Sequence, residues 1–272
     1  MLDKIEEEED RPAEFVEALA KGLMILESFD SQHPEMTLSD IARRLGLSPA
    51  AARRSLITLQ AMGYVGQTNK RFHLKPKVMS LGSAFYFSAR VDEVLQPELR
   101  RLVGTFGDAS SVATLEGHDV IYIAHYSGQR ARRPTAVVGA KYPAHATSLG
   151  RVLLAGLPDA EFDRYLREVE PVALTRKTVV DKAELRAIVE EVRERNFSTS
   201  VDQLDYGITA LAVPIRGSSG RTIAALNSSG YSGMVTAEEL VANRLQELRA
   251  SAGRIAQTLS RYPVLESIIG TR

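Results

Sequence analysis

The amino-acid sequence predicts an α+β chain of two modules: a small, basic and mainly helical one, then a larger neutral one mixing helices with antiparallel strands. Three observations lead there. Residues 1–20 hold two basic residues against eight acidic ones and residues 21–90 hold ten against four, whereas the whole chain carries 34 of each sign. Apolar residues recur at helical spacing up to about Met62 and then alternate, as strand residues do. Finally, 272 residues, 44% of them apolar, suffice for two ordinary cores.

The absence of cysteine excludes disulfides, thiolate zinc sites and cysteine nucleophiles. The longest apolar runs, such as VLLAGL at Val152–Leu157, fall far short of the roughly 20 residues that cross a bilayer. The opening MLDKIEEEED is acidic where a secretory signal is basic, so the expected location is the cytoplasm, with no membrane partner.

Taken in order, residues 1–11 read as a disordered acidic tail, since four successive glutamates repel one another. Residues 12–75 form the first domain. A helix is expected over Phe15–Phe29, with Leu19, Leu23, Ile25, Leu26 and Phe29 on its apolar side. A second begins at Thr37, with Asp40 placed for a capping box, buries Leu38, Ile41, Ala42 and Leu45, and stops at Gly46. After a short turn, Ser48 caps a third helix with Pro49 at its first position, running to about Met62. Its core stripe is Ala52, Leu56 and Leu59, so Arg54 points nearly opposite and Ala50, Arg53, Ile57 and Ala61 lie on the flank. YVGQT and RFHL, separated by Asn69-Lys70, read as a hairpin with a basic tip.

Two helices, a tight turn, a third helix and a basic hairpin make the order of a winged helix-turn-helix. The major groove of B-DNA, about 12 Å wide, admits a helix whose outward side chains are short, which an alanine-rich face provides. Arg53 and Arg54 are then expected at guanine edges or phosphates, Arg43 and Arg44 at the backbone, and Lys70 and Arg71 at the flanking groove, with Ser48, Ala50, Ala51 and Ile57 completing the surface. A solvated helix face, or a winged helix used only for protein contacts, remains the competing reading.

Residues 76–90 are expected to form a linker helix, with Val78, Leu81, Phe85 and Tyr86 making a face apolar enough to need a partner. Residues 91–263 form the second domain and 264–272 a tail. Asp92 is expected to cap a helix to about Phe106, with Pro97 near its start and Leu95, Leu99, Leu102 and Val103 inward. Strands are predicted in SSVATLEG and DVIYIAHY around Gly117-His118, in TAVVG, and in a hairpin about Gly217–Gly220; helices at Thr147–Ala155, Ala160–Arg167, Lys182–Glu194 and Ala237–Leu259. Without regular βαβ spacing, the sheet should be antiparallel.

A small molecule has one evident place to bind. The helix start at Thr147 or Ser148 leaves backbone N–H groups free to hold a carboxylate, and period two puts Ala225, Asn227 and Ser229 on one face of a strand. Asn227 and Ser229 read equally well as polar groups that satisfy neighbouring backbone. Arg130, Arg132 and Arg133 read as a solvated loop more readily than as an anion trap. His125 and His145 are expected to be structural, with His145 the better placed to line a pocket. His118 and His125, seven apart, fall on opposite strand faces, so no metal site is expected. No G-x-S-x-G, H-E-x-x-H, Walker or dinucleotide motif occurs, and neither catalytic residue nor cofactor is assigned. An enzyme with a DNA-binding appendage is thus the remote rival, and a purely architectural DNA-binding protein leaves the large neutral domain without a purpose.

MTLSDIARRLGLSPAAARRSLITLQAMGYV followed by a wing resembles the N-terminal module of the IclR-type bacterial transcriptional regulators. The resemblance continues through YPAHATSLGRVLLA (Tyr142–Ala155) and YGITALAVPI (Tyr206–Ile215), covering nearly all of the chain after about Phe15. HATSLGRVLLA, with VDQ at Val201–Gln203, most resembles the branch controlling aromatic-acid catabolism through the β-ketoadipate pathway. The resemblance implies a GAF-like α+β effector domain, a homodimer or a dimer of dimers, a pseudo-palindromic DNA operator and a small carboxylate effector. That effector would be an aromatic acid or a β-ketoadipate pathway metabolite, or else a non-aromatic acid from another carbon source. By the same resemblance the effector meets the amides of Ser148 and Leu149 and side chains at Asp202, Asn227 and Ser229, with Ala210 where some relatives carry a cysteine.

Overall fold

The computed structural model describes residues 12–128 and 136–270. The expectations for the tail at 1–11 and for Arg130, Arg132 and Arg133 lie outside the described residues. The chain divides into two compact units, 1–85 and 86–272.

The first unit holds α1 (Glu17–Glu27), β1 (Met36–Thr37), α2 (Leu38–Leu45), α3 (Pro49–Ala61), β2 (Val65–Thr68) and β3 (Arg71–Leu74). Thr37 forms a full capping box, its Oγ1 accepting from Asp40 N–H at 3.2 Å while Asp40 Oδ2 accepts from Thr37 N–H. Gly46 ends α2 at φ 64°, a left-handed conformation that costs glycine little. Ser48 then caps α3 through Ala51 N–H, with Pro49 in the first turn. Asn69 and Lys70 both have positive φ, as a two-residue hairpin joining β2 and β3 demands. β1 pairs with the free edge of β3, giving a three-stranded sheet over a core of Ile25, Met36, Ile41, Leu56, Val65 and Phe72.

A short 3-10 turn (Pro76–Val78) leads into α4 (Met79–Ser88), which contains no buried residue. Met79 and Phe87 face outward, 75% and 74% exposed, whereas Phe85 and Tyr86 are half-buried. The second unit continues with α5 (Val91–Val94) and α6 (Gln96–Phe106). The single helix expected from an Asp92 cap is therefore two: Arg90 occupies the cap in a left-handed conformation, Asp92 instead accepts from Tyr86 Oη at 2.7 Å, and Pro97 sits in the first turn of α6. Leu95, Leu99, Leu102 and Val103 are buried as expected.

The six-stranded antiparallel sheet has the order β6-β5-β4-β9-β8-β7, formed by β4 (Ala109–Glu116), β5 (Asp119–Ser127), β6 (Lys141–Pro143), β7 (Ser198–Val201), β8 (Ile208–Arg216) and β9 (Thr222–Tyr231). Within TAVVG, Thr135 lies outside the described residues and Ala136–Gly139 form no strand; pairing with β5 falls instead to β6. α7 (Ser148–Ala155), α8 (Asp159–Glu168) and α9 (Lys182–Arg195) pack on the face carrying Ala113, Ala212 and Ala225. α10 (Ala237–Ser260) and α6 pack against β8, β9, β4 and β5. The expected tail from 264 is in fact α11 (Pro263–Ile269) up to residue 269, because Leu265 and Ile269 are 5% and 2% exposed and hold it to the domain.

Candidate nucleic-acid interface and ligand cavity

On α3 the structure brings Ala50, Arg53, Arg54 and Ile57 to the surface together, with Ile57 54% exposed. Ala51 is the correction. It is buried with Ala52, because α3 packs on both α1 and α2 and its inward arc is wider than a single stripe. Ser48 spends an oxygen lone pair on the cap and keeps its O–H as a donor.

The cations differ in how they are held. Arg43 pairs with Asp40 at 2.6 Å, Arg44 with Asp30 at 2.6 Å, and Arg71 with Glu35 at 3.5 Å. Such solvent-screened pairs are weak, so DNA phosphate can displace the carboxylates at small cost. Among the described residues, Arg53, Arg54 and Lys70 make no ion pair and present their full charge. The helix N-terminal to the turn thus carries neutralised cations, and the presented helix and wing tip carry free ones.

The second unit contains a cavity between the start of α7 and the sheet. Ala146, Thr147 and Ser148 form the helix wall. Thr147 caps α7, its Oγ1 accepting from Gly150 N–H at 2.9 Å, which consumes one of the free amides. The amides of Ser148 and Leu149 have no protein acceptor among the described residues. Gly150 seats α7 on the Ala144 turn so closely that a Cβ there would overlap Ala144 O and Cα.

Strand registry builds the sheet wall. His125, Ser111 and Asn227 are direct partners across β5, β4 and β9, and Ala109, Ser229, Ala210 and Ser200 form a second row across β4, β9, β8 and β7. All seven line the cavity. Ser111 Oγ lies 2.9 Å from His125 Nδ1, and Asn227 Oδ1 accepts from Ser111 N–H at 2.8 Å. A bulge between Val112 and Ala113 shifts the register, so that Ala113 faces Tyr122 while Ser111 faces His125. Tyr122 and His125, three residues apart, thereby share a face that strict alternation would deny them. Tyr122 meets Tyr142 edge-on, ring centroids 5.0 Å apart, and both rings line the cavity.

Of the residues expected around an effector, the cavity collects Ser148, Ala210, Asn227 and Ser229. Leu149 does not line it: its side chain is in the core. His145 turns away: its Nε2 donates to Val172 O at 3.2 Å, and burial lowers its pKa. Asp202 is drawn into its own loop, where Oδ2 meets Lys177 Nζ at 2.8 Å and Oδ1 accepts from Gly207 N–H and Ser232 Oγ, contacts that hold its carboxyl below the usual range. The left-handed backbone at Asp202, φ 53°, directs it there.

His125, expected to be structural, takes the lining place expected of His145, and burial lowers its pKa, which favours the neutral ring. Arg151 was overlooked. Arg151 is 3% exposed and donates to His145 O, Thr199 O and Gln203 Oε1, at 3.1, 3.4 and 2.7 Å. Burial lowers its pKa to about 10. It ties α7 to β7 and to the loop carrying Leu204, which also lines the cavity. Its place three residues after Ser148, on one helix face with it, was the available signal.

With this geometry in view, the comparisons with known proteins agree on both units. The family model for the IclR helix-turn-helix domain matches residues 18–69, and that for the "Bacterial transcriptional regulator IclR C-terminal" matches residues 86–257. The Pca regulon regulatory protein of Pseudomonas putida is 34% identical over 247 residues, 90% of this chain and 85% of that protein. A crystal structure of a putative transcriptional regulator from Rhodococcus matches 91% of this chain and 99% of its own, at 39% identity and TM-score 0.74. The inducer-binding domain of the PobR transcription factor from Acinetobacter, a double mutant in complex with 3-hydroxybenzoic acid, matches 60% of this chain and 96% of its own, at 27% identity and TM-score 0.56.

Proposed function

This chain belongs to the IclR family of bacterial transcriptional regulators and is a DNA-binding regulator, not an enzyme; on that premise we propose that a small aromatic carboxylate, held in the cavity of the second unit, controls its affinity for an operator. α3 lies in the major groove with Arg53 and Arg54 at base edges or phosphates, and Lys70 of the wing reaches the flanking backbone. Arg43, Arg44 and Arg71 exchange their carboxylate partners for phosphates. Two protomers bind a pseudo-palindromic site, with half-sites one helical turn or a multiple apart. The protein works in the cytoplasm, where its operator is.

One observation carries the effector reading: α7 starts beside a cavity walled by two tyrosine rings, with the amides of Ser148 and Leu149 lacking a protein acceptor among the described residues and Ser148 lining the cavity. Amides at a helix start favour an anion, and apolar ring faces favour an aromatic body. The binding of 3-hydroxybenzoic acid by the related inducer-binding domain supports the same class. Gel-shift titration of the DNA flanking the gene, with and without a panel of benzoates, tests it. A retarded complex whose midpoint moves with an aromatic acid is the expected result; a midpoint indifferent to every acid overturns the effector reading.

A further inference from the structure

The sheet wall carries a polar group for which the carboxylate has no use. Ser111 Oγ and His125 Nδ1 are 2.9 Å apart, and His125 Nε2 has no protein partner among the described residues. Asn227 is fixed beside them, its Oδ1 committed to Ser111 N–H, leaving the Nδ2 donors for the cavity. Among the described residues no Lys, Arg, Asp or Glu lines the cavity. The helix amides therefore accommodate one anionic group, and the described residues of the sheet wall are neutral.

We propose that His125, positioned by Ser111, reads a ring hydroxyl of the effector, which is accordingly a hydroxylated aromatic monocarboxylate and not a dicarboxylate. The inference rests on the reading of the cavity as a carboxylate site. Its logic is that of the imidazole tautomers. If Ser111 O–H donates to Nδ1, then Nε2 carries the proton and donates; if Nδ1–H donates to Ser111, then Nε2 accepts. A hydroxyl, both donor and acceptor, satisfies either state. A second carboxylate satisfies only one, and would bring a charge to a wall whose described residues hold no counter-charge. Burial, which disfavours the imidazolium, keeps His125 from supplying that charge. An unsubstituted ring leaves Nε2 and the Asn227 amide desolvated and unpaired, the arrangement by which a polar site rejects an analogue lacking the hydroxyl.

The test is calorimetric titration of the full chain with benzoate, 3- and 4-hydroxybenzoate, and terephthalate at one pH. Wild type should bind one of the hydroxybenzoates at least about fivefold tighter than benzoate and terephthalate, the ratio expected for a buried hydrogen bond gained or lost. His125→Phe should lose most of that ratio, with a larger loss for the hydroxybenzoate than for benzoate. Ser111→Ala, nearly isosteric, should narrow the ratio in the same direction and decides the matter if His125→Phe does not fold. Failure of every acid to bind would remove the carboxylate reading and this one with it. Benzoate binding as tightly as both hydroxybenzoates, terephthalate binding tightest, or a ratio unchanged in the folded variants would overturn the role of His125 alone.

Discussion

Ser148→Pro removes one hydrogen-bond donor from the cavity at small structural cost. Ser148 is the first residue of α7, where proline is favoured because its fixed φ is already helical and its missing N–H has no helical acceptor. Thr147 before it is extended, φ −125° and ψ 146°, the conformation that proline imposes on its predecessor. The variant should therefore fold with its cap from Thr147 to Gly150 intact. What it loses is a charge-assisted hydrogen bond to the effector carboxylate, worth about 1.5–3 kcal/mol. That corresponds to a Kd raised roughly tenfold to over a hundredfold. Ser148→Ala, which loses the hydroxyl and keeps the amide, serves as the control. Calorimetry on both variants with 4-hydroxybenzoate, alongside thermal unfolding, reads the effect. Equal affinity of a folded Ser148→Pro protein and wild type would show that the amide does not hold the carboxylate.

Three further expectations follow from the two sites. Arg54→Ala should weaken operator binding by about 1–3 kcal/mol if the side chain reads a base, whereas Lys70→Ala should lower the slope of log K against log salt by about one; anisotropy titrations at several salt concentrations separate the two, and two unaltered variants would misplace the interface. Gly150→Ala forces α7 off the Ala144 turn and should cost about 1–3 kcal/mol of stability, so an unchanged midpoint in denaturant would mean the seat is soft. His125 and His145 both have lowered folded pKa values, so the unfolded chain binds protons first as pH falls. Stability should then be full above about pH 7 and fall as pH drops through about 6.5 toward the folded values, and denaturant unfolding at pH 7.5, 6.5 and 5.5 that shows no loss would contradict the burial of these rings.

Features set by local chemistry were legible in the sequence. Thr37 with Asp40, Gly46, and Ser48 with Pro49 announce helix ends whose determinants lie within four residues, and Asn69-Lys70 announces a two-residue turn. What escaped was set by tertiary geometry. The bulge at Val112/Ala113 leaves no mark in residue type, yet it alone unites Tyr122 with His125. Nothing local indicated that Arg90, not Asp92, would precede α5, or that Leu265 and Ile269 would find a core to enter. His145 was expected in the cavity from its place just before α7, and Asp202 from the family resemblance; each instead found a stronger partner, Val172 O for one and Lys177 with Ser232 for the other. Ala51 shows the same limit in α3, since one stripe cannot describe a helix packed on two neighbours.

The account turns on coupling between an anion in the second unit and DNA on the first. Operator affinity measured by fluorescence anisotropy at constant salt, in the presence of 4-hydroxybenzoate or its methyl ester, tests this most directly. The acid should change the operator Kd by about fivefold or more, within the range of ordinary coupling free energies, and the ester, which lacks the charge held by the α7 amides, should leave it unchanged. Equal shifts by acid and ester, or none by either with operator binding intact, would contradict it.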